Sequence, residues 1–407
     1  MIDIQEQLYA APFHFLPEKC ILSTEVMNML RKLGAAAVVL AVCVISALFI
    51  GAAKKEEPEP KAYVLMEAET HTILNELNAD KRLNAGYLTK LMSILLIAED
   101  IENGEYNLAD EFTASESVAN TRGAVIWLES GDKMTVAELL KSVIIGNAND
   151  AMTVLAEKSS GSTEDFVMDM NARAFELGLR DTRFVSPYGY YSADEYTTAY
   201  DMAVICCELA KHEFLTPEFS TWRDFVNGGR TELVSENTLM RNYDRHIGFK
   251  ACHSDEAGYC AAEGGRNENG TVYISVVLGA ENADISLGMA KRLVRSGFSG
   301  YKVAFTMFPD EMLAPVKVKN GTENAVEIYL KAQGKAAVPK GSGELRARVV
   351  IPEYLTAPVR IGQPIGTAAF YYNDTLVYES ELLTRSAVPK LSYKFIFGKL
   401  LEKMMEK

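Results

Sequence analysis

The stretch Tyr87-Leu88-Thr89-Lys90-Leu91-Met92-Ser93-Ile94-Leu95-Leu96-Ile97-Ala98-Glu99-Asp100-Ile101 decides the fold. Wound at about 3.6 residues per turn, it is apolar nearly all the way round. A helix without a polar face sits in the middle of a domain, with neighbours on every side. Its N-terminus, Tyr87 to Lys90, is then a place where side chains face a cleft over a fixed scaffold. Upstream, Ala62-Tyr63-Val64-Leu65-Met66 and Thr72-Ile73-Leu74 flank the polar turn Glu69-Thr70-His71 and predict a strand pair. Downstream, the patterning predicts helices over residues 136–145, 150–158, 164–177 and 199–211. Strands follow over 248–252, 259–263 and 272–278, then a helix over 285–295. Strands, a helical block, more strands and a closing helix make one α+β domain over residues 61–308.

Beyond it the texture changes. Short alternating runs such as Val316-Lys317-Val318-Lys319 and Leu345-Arg346-Ala347-Arg348-Val349, broken by Gly and Pro, predict a small all-β domain over residues 309–389. Residues 390–407 read as an amphipathic helix. Leu391, Phe395, Phe397, Leu400, Leu401, Met404 and Met405 recur near helical spacing, and Lys390, Lys394, Lys399, Lys403 and Lys407 interleave with them. An apolar face beside a lysine face suits an anionic membrane surface; the competing reading docks the helix on its own protein.

Residues 33–53 carry no charge and match the roughly 20 residues needed to cross a bilayer. Arg31 and Lys32 precede the run, and a large domain follows it, so the C-terminal part is expected outside the cytoplasm. The run is a transmembrane signal anchor or a signal peptide ending at the small residues Gly51-Ala52-Ala53. Residues 54–60 form a charged, proline-bearing linker. Residues 1–32 are an N-terminal extension of unusual kind, and Met27 or Met29 is the expected start. The expected location is the extracytoplasmic face of the cell membrane.

The 407 residues carry a net charge of −14. Nucleic-acid affinity rests on Lys and Arg neutralising phosphates, so nucleic acid is excluded as a partner. Six cysteines (Cys20, Cys43, Cys206, Cys207, Cys252, Cys260) contain no CxxC pair, and the five histidines form no HxxxH or HExxH pattern. Neither a metal site nor a cofactor is expected. The adjacent Cys206 and Cys207 read as buried small hydrophobes.

Several segments carry a family resemblance. These are Met66-Glu67-Ala68-Glu69-Thr70 with Asn78-Ala79-Asp80; Leu128-Glu129-Ser130-Gly131-Asp132-Lys133-Met134-Thr135-Val136; Asn149-Asp150-Ala151 with Leu155-Ala156-Glu157; Asp255-Glu256-Ala257-Gly258-Tyr259-Cys260; and Ile274-Ser275-Val276-Val277-Leu278-Gly279-Ala280. They resemble the low-molecular-weight penicillin-binding proteins, the D-alanyl-D-alanine carboxypeptidases, over about residues 61–310 and more weakly through the β domain. The resemblance implies a penicillin-binding-protein/β-lactamase-like transpeptidase domain, an antiparallel sheet flanked by helices, followed by a small all-β domain and a C-terminal amphipathic helix.

It also implies a site built from S-x-x-K, S-x-N and K-T-G. In that family the first Ser attacks the peptide carbonyl, and its Lys serves as the base. The second Ser relays protons while the Asn positions the substrate amide. The third motif lies on an edge strand and attracts the substrate carboxylate. This chain departs at all three. Tyr87 stands at the nucleophile position of Tyr87-Leu88-Thr89-Lys90, with Lys90 kept. Asn147 stands at the relay position of Asn147-Ala148-Asn149, with Asn149 kept. The third motif reads Lys250-Ala251-Cys252, with only Lys250 kept.

Each change has a consequence. A phenol oxygen overshoots the point at which oxyanion donors are aimed, and misplacement by about 1 Å costs on the order of 100-fold. Asn147 cannot relay a proton as a hydroxyl does. Ala251 removes a donor, and Cys252 adds a Cβ where the strand otherwise lies bare. Plainer readings stand beside these: Lys90 and Lys250 as structural lysines, and Asn149 as the cap of a helix beginning at Asp150. A Cys252–His253 dyad is excluded because strand neighbours point to opposite faces.

The leading expectation is a non-catalytic member of the family in the cell envelope, binding peptidoglycan stem peptide or an envelope protein. The alternatives are an active D,D-carboxypeptidase with an atypical nucleophile and a membrane-attached structural or assembly subunit.

Overall fold

The computed structural model describes residues 58–241, 246–305 and 313–405. The candidate anchor at residues 33–53 lies outside them.

A five-stranded antiparallel sheet organises the first domain, in the order β2-β1-β9-β8-β7. The hairpin of β1 (Ala62–Glu67) and β2 (Thr72–Leu77) is closed by Glu67, whose carboxylate accepts from Thr70 N at 2.8 Å and Thr70 Oγ1 at 2.6 Å. A single 3-10 turn, Gly86–Thr89, leads into α1 (Lys90–Asn103), which stops at Gly104 with φ +80°. The helix expected from Tyr87 therefore begins as a tighter turn. Gly86 takes φ +54°, a left-handed conformation that an α-helix cannot contain, and Asn84 Oδ1 accepts from its N–H at 2.9 Å.

A small hairpin, β3 (Glu111–Thr113) and β4 (Lys133–Thr135), precedes α2 (Val136–Ile144). Thr135 and Glu138 cap α2 reciprocally, so its start is written in four consecutive residues. Three more helices follow: α3 (Asn149–Ser160), α4 (Thr163–Glu176) and α5 (Ala199–Leu209). The short α6 (Thr216–Phe219) and the hairpin β5 (Arg223–Val226)/β6 (Thr231–Val234) lead back to the sheet. There β7 (His246–Ser254), β8 (Gly258–Arg266) and β9 (Val272–Ala280) form a meander, and α7 (Ala283–Gly300) closes the domain. The ends of these elements lie within a few residues of the sequence expectation, except that α7 continues to Gly300.

The sheet is buried on both faces. Val64, Met66, Ile274, Val276 and Leu278 pack with the helical block around α1. Leu65, Tyr273 and Val277, from the alternate positions, pack under Leu287, Leu293 and Val294 of α7. This explains strands that are apolar at successive positions. Leu91, Met92, Ile94, Leu95 and Ile97 are fully buried, as expected of a helix without a polar face. At about 1.5–3 kcal/mol each, they make α1 the anchor of the core.

β10 (Tyr301–Phe305) follows α7 directly and pairs with the later strand β14 (Lys335–Pro339). The β region therefore reaches back before the boundary expected at residue 308. The remaining strands are β11 (Val316–Lys319), β12 (Ala325–Val326), β13 (Ile328–Leu330), β15 (Leu345–Val350), β16 (Tyr354–Thr356), β17 (Pro364–Tyr372) and β18 (Thr375–Thr384). They form a three-stranded sheet β12-β11-β16 and a four-stranded sheet β13-β18-β17-β15 around Val316, Val318, Ile328, Phe370, Leu382 and Val388. The last described element is α8 (Tyr393–Met405), which buries no residue.

Candidate functional site

The edge strand β7, the turn before α1 and the junction between α2 and α3 meet at one cleft. Tyr87 leaves the 3-10 turn half-buried, and its hydroxyl reaches the Arg122–Ala124 segment, 3.8 Å from where a Cβ on Gly123 would lie. Its ring crosses the space between the turn and that segment. Lys90 is fully buried one turn further on. Its Nζ donates to Tyr188 O at 3.0 Å and lies 4.5 Å from the Tyr87 ring centroid. Burial, and then the nearby Lys250 charge, hold the Lys90 ammonium well below its ordinary pKa. Burial also raises the Tyr87 phenol. The phenol is thus harder to ionise here than in water, which works against it as a nucleophile.

Asn147 links α2 to α3 with φ +60°, a conformation Asn tolerates better than most residues. Its Oδ1 is buried without a hydrogen-bond partner among the described residues. Asn149 is not the cap of its helix. It is the first residue of α3, and its Nδ2 donates to Arg122 O at 2.6 Å and Tyr190 OH at 3.2 Å. The long-range bond to Arg122 draws the side chain away from its own backbone. Its Oδ1 is also buried and unpartnered. Gly123, at φ +84°, permits the close approach, since a Cβ there would lie 2.8 Å from Asn149 Nδ2.

On β7, Lys250 is buried, and its Nζ donates to Val143 O at 2.9 Å and Ile144 O at 3.2 Å. These are carbonyls at the C-terminus of α2, the negative end of its dipole. Burial lowers Lys250 to about 8, partly opposed by Glu236. Ala251 is half-buried. Cys252 is buried with its Sγ 3.6 Å from Ala85 O, while His253 is exposed. Neighbours on the strand do face opposite ways, and no Cys252–His253 dyad exists.

Sequence reasoning missed the strap that roofs Lys90. Pro187 O accepts from Ser93 Oγ at 2.9 Å, Tyr188 O accepts from Lys90, and Gly189 lies so close that a Cβ would stand 2.1 Å from Gly86 O. The Tyr-Gly-Tyr pattern of residues 188–190 was the only local signal. Glu195 was missed too. It is buried and accepts from Thr89 Oγ1 at 2.7 Å and Val185 N at 3.2 Å. Burial pushes its carboxyl up to about 7.

The three altered motifs thus converge, and the kept polar groups are engaged within the protein. Both ammoniums donate to backbone carbonyls, and Asn149 Nδ2 is spent on Arg122 and Tyr190. Among the described residues no group of three His, Cys, Asp or Glu side chains is placed to hold a metal. The arrangement offers a buried amine at Lys90, and the side chain at the nucleophile position beside it is the Tyr87 phenol, not a short hydroxyl.

Comparison with known proteins accounts for this layout. Residues 51–282 match the D-alanyl-D-alanine carboxypeptidase family, and residues 305–390 match the C-terminal domain of penicillin-binding protein 5. The chain belongs to this family of low-molecular-weight penicillin-binding proteins. It is 32% identical over 340 residues to D-alanyl-D-alanine carboxypeptidase DacF of Bacillus subtilis, covering 82% of this chain and 87% of that protein. It is 29% identical over 396 residues to DacC of Escherichia coli, covering 94% and 97%. The crystal structure of penicillin-binding protein 5 from Haemophilus influenzae matches with a TM-score of 0.75 and 26% identity, covering 83% of this chain and 99% of that one.

Proposed function

We propose that this protein is a non-catalytic member of the family in the cell envelope, and that its altered cleft or its β domain recognises the stem peptide of peptidoglycan or an envelope protein. One observation carries the reading: the residue at the nucleophile position is Tyr87, whose ring lies against Lys90 and whose hydroxyl extends to the Arg122–Ala124 segment. A serine there would place its hydroxyl beside the lysine, within reach of a carbonyl held by oxyanion donors. The phenol oxygen instead lies across the cleft, and its ring fills acyl-group space. Asn147 offers no relay hydroxyl, and Ala251 no hydroxyl to a carboxylate. The well-packed core around the cleft supports a retained binding role over simple decay.

Incubating the purified protein with fluorescent penicillin tests this directly. The expected result is no covalent label; label on the unaltered protein overturns the reading. Micromolar binding of muropeptides or sacculi is the expected positive result. Its absence turns the search from peptidoglycan to an envelope protein.

Membrane attachment is part of the proposal. It draws on the uncharged run at residues 33–53. It draws equally on α8, where Tyr393, Phe397, Leu400, Met404 and Met405 are all more than half exposed. No helix among the described residues is long and apolar enough to cross a membrane.

A further inference from the structure

The edge of the central sheet holds a pair of thiols that neither the fold nor the cleft chemistry requires. In the β7–β8 hairpin Cys252 stands directly opposite Cys260, with Ala251 opposite Ala261 and His253 opposite Tyr259. Directly opposed residues of an antiparallel pair project to the same face, with Cα atoms about 4.5 or 5.5 Å apart according to the pair type. Both separations fall within the roughly 4.4–6.8 Å that a disulfide spans. The adjoining pair shows that the strands bring opposed side chains into contact here, because the His253 and Tyr259 rings lie 4.1 Å apart, centroid to centroid. Cys252 and Cys260 are both buried, and both are free thiols. Cys206 and Cys207 differ: as sequence neighbours on α5 they point about 100° apart around the helix and do not face each other.

We propose that Cys252 and Cys260 are a disulfide site, closed across the β7–β8 hairpin by exchange with a disulfide oxidant of the compartment in which the domain folds. The step balances through two exchanges. The Cys260 thiolate attacks one sulfur of the oxidant, forming a mixed disulfide and releasing the oxidant's other sulfur as a thiolate. The Cys252 thiolate then attacks the Cys260 sulfur and releases the second. The cysteine pair loses two electrons and two protons, and the oxidant gains them as two thiols. In the reduced fold each thiol donates to a backbone carbonyl, Cys252 to Ala85 O at 3.6 Å and Cys260 to Ala257 O at 3.7 Å, and either one, once ionised, can open the exchange. Because both sulfurs are buried in the fold, exchange takes place before the hairpin packs or while it is open.

The bond has a consequence for the cleft. The reduced Cys252 thiol donates to Ala85 O, immediately before the turn that carries Tyr87. Oxidation removes that proton and draws the sulfur toward β8. It also ties the edge strand bearing Lys250 to its neighbour by a covalent bond.

Trypsin, cutting after Lys250 and Arg266, releases both cysteines in one peptide, residues 251–266. The full-length protein is reduced in denaturant, refolded in the presence of oxidised glutathione, acid-quenched, and alkylated in denaturant before digestion. The expected peptide is unalkylated and two hydrogens lighter than the dithiol; after reduction it takes up two alkyl groups. In a Cys260→Ser variant, Cys252 is expected to remain free of an internal bridge. Recovery of the doubly alkylated peptide from the oxidant-treated, unaltered chain overturns the proposal, and so does a bridge formed with Cys206 or Cys207 instead. The unaltered chain alone decides the matter, whether or not the variant folds.

Discussion

Lys90 Nζ donates to Tyr188 O at 3.0 Å while lying 4.5 Å from the Tyr87 ring centroid, so the buried amine is held between the roof of the cleft and the side chain that replaces the nucleophile. If Tyr87 were the only obstacle, a serine would restore reactivity. Three other altered positions argue otherwise. We predict that Tyr87→Ser alone does not label with fluorescent penicillin. A combined Tyr87→Ser, Asn147→Ser, Ala251→Thr, Cys252→Gly variant is expected to acquire label, because it restores nucleophile, relay, carboxylate donor and bare strand together. Label on the single variant at a comparable rate would show that the other three changes are neutral.

Glu195 supplies a test of the site's electrostatics. Burial raises its pKa in the fold to about 7, above the 4.5 ordinary for a glutamate in water. Between those values the folded state holds more protons than the unfolded one, so its contribution to stability falls as pH rises through the window. Glu195→Gln keeps an oxygen for Val185 N and an amide for Thr89 Oγ1 without the charge. Relative to the unaltered protein, the variant is expected to gain on the order of 1–3 kcal/mol between pH 4.5 and pH 8 in denaturant titrations. A difference that does not change with pH would mean the carboxyl is not held neutral by burial.

Lys250 has the opposite sign. Its pKa falls from 10.5 to about 8, so between those values the unfolded state binds more protons and stability rises with pH. Lys250→Met removes that slope, and the stability of the unaltered protein minus that of the variant is expected to climb from pH 8 to pH 10.5. Near neutral pH the variant also leaves Val143 O and Ile144 O without their donor, which costs about 1–3 kcal/mol. A variant equal in stability at pH 7 would show that solvent replaces the ammonium freely.

What could be read from the sequence follows from how far apart the interacting residues lie. The apolar run from Leu88 fixes a buried helix because composition and periodicity are local, and Thr135 with Glu138 marks the start of α2 within four residues. The 3-10 turn at Gly86–Thr89 escaped because Gly86's positive φ is set by packing against Gly189 and Ala257, far along the chain. Glu195 reaches Thr89 across 106 residues, and the Pro187–Gly189 strap reaches α1 across nearly as many. The motif resemblance located Tyr87, Lys90, Asn149 and Lys250. It held no information on where their polar atoms are spent. Asn149 shows the cost, since a local rule offered a helix cap as its plainer reading while a distant carbonyl at Arg122 claims its amide.

The C-terminal helix makes the last prediction. Over Tyr393–Met405 none of its residues is buried; Phe397 is 66% and Met405 82% exposed. Lys394, Lys399 and Lys403 stand among them, with Lys390 just ahead. Exposed apolar area of this kind, with lysines each worth about 1 kcal/mol at an anionic surface, favours interfacial insertion. Because residues 33–53 are a second candidate for attachment, the measurement uses the compact unit Pro58–Lys407. That fragment is expected to co-sediment with vesicles rich in phosphatidylglycerol, and to do so less as ionic strength rises, since the lysine contribution is screened. Phe397→Glu with Leu401→Glu is expected to weaken binding by at least about tenfold, because each places a charge where apolar area would insert. Sedimentation unchanged by the double substitution would place the membrane contact elsewhere. Failure of the parent fragment to bind at all would leave α8 to a protein partner, whose footprint would then include the same apolar face.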